Sequence, residues 1–128
     1  MSRMSALGRV FGRGWAKQGV DHWWAQRVTA VALAPLTVWL VVSLLSIPSF
    51  SYATLTDWMG HGWNILPLVA LILAVAQHSY LGLRVVVEDY VHHPARRIAT
   101  LLLLRFAHML VAAAGVFGVF EVAFGGRA

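Results

Sequence analysis

Three apolar runs, Val28 to Ile47, Ile65 to about Val87 and Ile98 to Phe124, dictate what this chain can fold into. Wound as a helix, a run of about 20 apolar residues matches the hydrocarbon thickness of a bilayer. Backbone N–H and C=O groups find no water there and must be satisfied within the segment, so each run is expected to be a helix. What remains of the 128 residues cannot house a soluble catalytic domain. The chain is 59% hydrophobic and 12% charged, with a mean hydropathy of +0.71, values that a soluble domain of this size does not show. The expected fold class is all-α integral membrane, with three transmembrane helices.

The polar residues lie between and beside these runs. Residues 1–27 carry Arg3, Arg9, Arg13, Lys17 and Arg27 among glycines and small residues, and are expected to form a basic arm, mobile or interfacial. Residues 28–128 are expected to form the three-helix membrane domain. The first apolar run is longer than the core of a cleaved signal, so the run is read as retained. Trp15, Trp23 and Trp24 suit a membrane surface, where an indole buries its rings and keeps its N–H wet. Pro35 lies inside the first run, a position at which proline kinks a helix. The segment from Pro48 to Asn64 has Asp57 and His61 but no Lys or Arg, and is expected to be a loop. Basic residues collect instead in the arm and at Arg84, Arg96 and Arg97. The positive-inside rule then puts the N-terminus in the cytoplasm, the loop outside and the C-terminus in the periplasm of a bacterial inner membrane. The formal charge of +5 follows from this topology, since the basic residues form no patch on a polar domain that nucleic acid would use.

One stretch concentrates the chemistry: His78-Ser-Tyr-Leu-Gly-Leu-Arg-Val-Val-Val-Glu-Asp-Tyr-Val-His-His-Pro94. On a helix the steps from His78 to Asp89 turn through about 1100°, close to three full turns, and climb roughly 16 Å. His78 and Asp89 would share a face at two depths, with Arg84 between them and Tyr90, His92 and His93 at the end. Gln77 and His78 stand well inside the second span, where polar groups are costly and face a bundle or a cofactor. For His78 two roles remain open, metal or haem ligand and interhelical hydrogen bond; Gly82, one turn on, leaves room for a flat ring system. For Arg27 the alternatives are snorkelling to headgroups and clamping a carboxylate deeper in the bundle. Arg105 and His108 share a face of the third span, His108 at a depth like that of His78, which makes a second haem ligand from this chain geometrically possible. Glu121 is expected to face water or a partner chain. The chain has no cysteine, which excludes disulfides, iron–sulfur ligation and covalent haem attachment through Cys-x-x-Cys-His. Nucleophile-elbow, phosphate-loop and zinc-protease signatures are missing, as is the paired Glu-x-x-His of di-metal bundles.

Two motifs carry a family resemblance. Gln26-Arg27-Val28-Thr29-Ala30 opens the first span, and His78 is followed twelve residues later by Tyr90 within Asp89-Tyr90-Val91-His92. From about Trp24 onward the chain resembles the smaller of the two hydrophobic membrane-anchor subunits of succinate dehydrogenase, respiratory complex II. The resemblance implies that His78 is an axial ligand of haem b, whose other ligand comes from the partner anchor subunit, and that Tyr90 donates a hydrogen bond to a ubiquinone carbonyl, supported by Asp89. It implies Arg27 as a partner of a haem propionate. It further implies an iron–sulfur subunit and a flavoprotein subunit that carry the clusters and the FAD, and a place in the respiratory chain and tricarboxylic acid cycle. The chain would then be a non-catalytic subunit of an enzyme complex. His108 is outside the family pattern. A fumarate reductase anchor or a haem-free complex II is a close variant. From other classes come a small transporter subunit with Arg105, His108 and Glu121 along a path, and a purely structural membrane protein.

Overall fold

A computed structural model describes residues 14–125, with side chains from residue 20 onward. The expectations for the side chains of Arg3, Arg9, Arg13, Trp15 and Lys17, and for the last three residues, lie outside the described residues. Four helices follow in order: α1 (Gly14–Leu45), α2 (Tyr52–Gly60), α3 (Gly62–Tyr90) and α4 (Pro94–Phe120), the last running into a π-helical turn at Glu121–Gly125. Three segments, Val20–Leu45, Gly62–Tyr90 and Pro94–Gly125, are long and apolar enough to cross a membrane. The three expected spans are therefore present, and the chain is a multi-pass membrane protein.

The helices extend past the apolar runs. α1 already includes residues 14–27 of the basic arm, because nothing between Gly19 and Thr29 breaks a helix and the apolar stretch behind it propagates the winding. Pro94 occupies the first turn of α4, where a missing N–H costs nothing, so the third span begins there and leaves only Val91, His92 and His93 to make the turn. The segment between the first two spans is less irregular than its Ser, Thr, Pro and Gly content predicts. Ser51 caps α2 by accepting from Thr54 N–H at 3.2 Å, and Thr54 Oγ1 lies 2.8 Å from Ser51 Oγ. His61 alone separates α2 from α3. Asn64 Nδ2 donates to Trp58 O at 2.7 Å, satisfying a carbonyl at the end of α2, and Trp58 stacks on Trp39 of α1 with centroids 5.9 Å apart.

α3 is the central element, packed against α1 on one side and α4 on the other. Among the described residues only Leu68, Leu81, Val119 and Ala123 are buried, and no polar residue is. A chain with so little core and so many outward Val, Leu and Phe side chains turns apolar faces outward, as a helix bundle in lipid does. The α3–α4 seam is tight where Gly115 meets Ile72: a Cβ on Gly115 would sit 3.2 Å from Ile72 Cγ2. Gly115→Leu should therefore destabilise the bundle by about 1–3 kcal/mol through overpacking. Gly118→Ala, where a Cβ meets nothing within 4 Å, should be neutral. Unfolding midpoints in detergent check the pair.

Candidate functional site

The antiparallel pairing of α1 with α3 brings two distant motifs together. His78 is half-buried on the α1 side of α3, with Nδ1 2.9 Å from Thr29 Oγ1 and Nε2 3.4 Å from Gln26 Nε2. The first contact is a good hydrogen bond; the second is longer than a well-formed one. Gly82, one turn along α3, faces the same place, and a Cβ there would lie 3.9 Å from Gln26 Nε2. Gln26 Oε1 is buried without a hydrogen-bond partner among the described residues, and so is Nε2 of His22, one turn earlier on α1. The seam thus gathers imidazole, amide and hydroxyl groups inside two apolar helices, with polar atoms left to satisfy.

Arg27 follows Gln26 and points away from the seam. Its guanidinium lies 4.8 Å from the centroid of the Trp23 ring, one turn back on α1, and the residue is exposed. α3 continues without interruption from His78 to its last residue, Tyr90, so the site and the end of the helix are about 18 Å apart. Tyr90 is 78% exposed and its hydroxyl has no partner among the described residues. Asp89 beside it is also exposed. Arg84 does not reach Asp89: its Nε donates to Glu88 Oε1 at 2.7 Å, an exposed pair one turn apart. His92 Nδ1 lies 3.1 Å from Tyr90 O.

His108 is on the other side of α3. Its ring meets Tyr80 edge-on, with centroids 5.9 Å apart, and its Nδ1 donates to Leu104 O at 2.8 Å. Since His78 and Tyr80 are separated by about 200° around the helix, the two imidazoles stand on opposite faces of α3. His108 borders an apolar groove of about 480 Å³ that runs between α3 and α4 past Ser79 and Gly115. Arg105 and Glu121 are exposed and about 160° apart around α4, so these side chains do not form one polar line within the chain. Among the described residues no group of three His, Cys, Asp or Glu side chains is placed to hold a metal ion. Sequence reasoning singles out His78 but misses Thr29 and Gln26 as its neighbours; both lie inside a motif in which residue type draws attention only to Arg27.

An all-helical, three-span membrane protein with an imidazole held between two of its spans is the class that fold and seam define. The chain belongs to the succinate dehydrogenase/fumarate reductase transmembrane subunit family, whose model matches residues 1–115. It is 31% identical over 102 residues to the succinate dehydrogenase hydrophobic membrane anchor subunit of Rickettsia conorii, covering 78% of this chain and 81% of that one. The succinate dehydrogenase membrane anchor subunit of Reclinomonas americana is 33% identical over 92 residues, covering 70% and 77%. The succinate dehydrogenase hydrophobic membrane anchor subunit of Paracoccus denitrificans is 28% identical over 103 residues, 80% of each chain. No solved structure matches.

Proposed function

We propose that this chain is the smaller membrane anchor of a succinate:quinone oxidoreductase, helping a second anchor subunit hold haem b and complete a ubiquinone site. The observation that carries this reading is the single helix α3, with His78 set against Gln26 and Thr29 inside the bundle and Asp89-Tyr90 at its open end. The residues fit a haem. His78 would hold the haem iron with one neutral imidazole, a second coming from the partner anchor, and the porphyrin would need no further protein ligand. The long Gln26 contact leaves His78 Nε2 easily released, and the unpartnered Gln26 Oε1 supports the reading that a further group sits beside it. Arg27 is one residue from this level, and its guanidinium, over an indole that does not neutralise it, supplies a cation for a propionate.

Haem b supplies one-electron redox capacity inside the membrane, and ubiquinone takes electrons and protons at its mouth. Tyr90 would donate its O–H to a quinone carbonyl, whose oxygen gains negative charge on reduction. Asp89, exposed beside it, would relay protons from water. Both stand at the end of the bundle that carries Arg84, Arg96 and Arg97, the cytoplasmic side by the positive-inside rule, where electrons from an iron–sulfur subunit would arrive. Having no cysteine, the chain leaves the iron–sulfur clusters to the soluble partners.

Purification in mild detergent tests this. A tagged chain should bring down a flavoprotein, an iron–sulfur protein and a second anchor, with a b-type band in the reduced spectrum. Recovery without these partners would defeat the proposal, and partners without the band would make this a haem-free anchor. The chain expressed alone should hold no stoichiometric haem with two histidine ligands, because His78 and His108 lie on opposite faces of α3.

A further inference from the structure

The hydroxyl that faces His78 has two further acceptors within reach in its own helix. Thr29 Oγ1 lies 2.9 Å from Ala25 O and 3.0 Å from Gln26 O, in its own helix. Carbonyl oxygens only accept, so either can take the one hydroxyl hydrogen of Thr29. With that hydrogen kept in its own helix, Oγ1 offers His78 Nδ1, at 2.9 Å, a lone pair. The hydrogen of that bond then sits on Nδ1, and in a neutral imidazole Nε2 is the bare nitrogen. Gln26 Nε2 lies 3.4 Å from His78 Nε2, on the side that this arrangement leaves bare. α1 thereby sets both the tautomer and the orientation of a ring on α3, through a side chain whose own rotamer is fixed by two backbone carbonyls.

We propose that Thr29 is a positioning residue for haem: it holds His78 as the Nδ1–H tautomer, presents Nε2 to the iron and makes the imidazole a stronger donor. This rests on the reading of His78 as an axial ligand. Ligating imidazoles are oriented and made more electron-rich by an acceptor at the second nitrogen, and loss of that acceptor weakens metal binding by about 10- to 100-fold. Gln26 adds no acceptor at Nδ1, so no other side chain near His78 in the seam duplicates the role. The assignment also gives a physical purpose to the Thr29 position of the Gln26-Arg27-Val28-Thr29-Ala30 motif.

The test uses the assembled complex carrying Thr29→Val, Thr29→Ala, Thr29→Ser or His78→Leu. Val keeps the branched shape and deletes the hydroxyl, Ala deletes it in a better helix former, and Ser retains it. Haem retention is followed by transfer to excess apomyoglobin, and the haem midpoint potential by redox titration. Thr29→Val and Thr29→Ala should release haem about 10- to 100-fold more readily than wild type. They should shift the potential upward, because a poorer imidazole donor stabilises ferric iron less. Thr29→Ser should behave as wild type. If His78→Leu abolishes the b-type spectrum while Thr29→Val and Thr29→Ala keep wild-type retention and potential, the proposal is overturned and the ligand reading stands. Lower yield in all three Thr29 variants with an unchanged potential per haem would also overturn it, since that marks a packing role. A wild-type spectrum in His78→Leu would remove the ligand reading and this proposal with it.

Discussion

Tyr90→Phe should lower electron transfer from succinate to ubiquinone by about one to two orders of magnitude in an otherwise intact complex. A well-placed donor to a developing oxyanion contributes about 2–4 kcal/mol. The lower part of that range applies because Tyr90 stands at an exposed helix end and is less desolvated than a buried donor. Phenylalanine keeps the ring and the helix end, so assembly and the haem spectrum should survive; the change lies about 18 Å along α3 from His78. Succinate oxidation with an artificial acceptor that draws electrons before the membrane should stay near normal. Wild-type quinone reductase activity together with wild-type sensitivity to quinone-site inhibitors would return Tyr90 to the aromatic belt found at any membrane surface.

His78→Leu should abolish or profoundly alter the b-type spectrum. Membrane insertion should be unaffected, since α3 becomes more apolar and its backbone hydrogen bonds are internal. The substitution also removes the Thr29–His78 hydrogen bond across the seam, while Thr29 Oγ1 keeps its carbonyl partners in α1. A modest loss of stability is therefore expected beside the spectral loss, about 0.5–1.5 kcal/mol for one hydrogen bond. Reduced-minus-oxidised spectra on the purified complex separate the two effects. An unchanged low-spin spectrum would shift attention to His108, whose Nδ1 is also engaged, by Leu104 O, and whose Nε2 is correspondingly oriented.

The same pair of histidines shows where sequence reading stops. Placed by residue count, His78 and His108 have similar depths in adjacent spans, and one haem between them is a geometric possibility. Depth is a one-dimensional property, fixed by a rise of about 1.5 Å per residue. Which way each ring points depends on which face of α3 meets α1 and which meets α4. No periodicity announces that in a chain whose helices are apolar nearly all round. The Ser51 cap had a local signal, Ser-Tyr-Ala-Thr, that marks a helix start within the segment read as a loop. The contact of Thr29 with His78 had none, because the residues are 49 apart in sequence and a threonine inside a span serves equally well bonded to its own helix.

The sequence by itself determined that the chain is a membrane protein with three helical spans, because an unpaired backbone in hydrocarbon costs more than any side-chain preference can offset. It also determined the family, through the spacing of His78 and Tyr90 and the run from Gln26 to Ala30. Only the tertiary structure decided that α3 lies between the other two spans, that His78 faces Thr29 and Gln26, and that His108 is turned away toward Tyr80. The physical reason is the solvent. Lipid is as apolar as the side chains it meets, so no hydrophobic stripe selects the inner face of each helix. That choice falls to close packing, as at Gly115 against Ile72, and to the few polar side chains that must find one another across a seam.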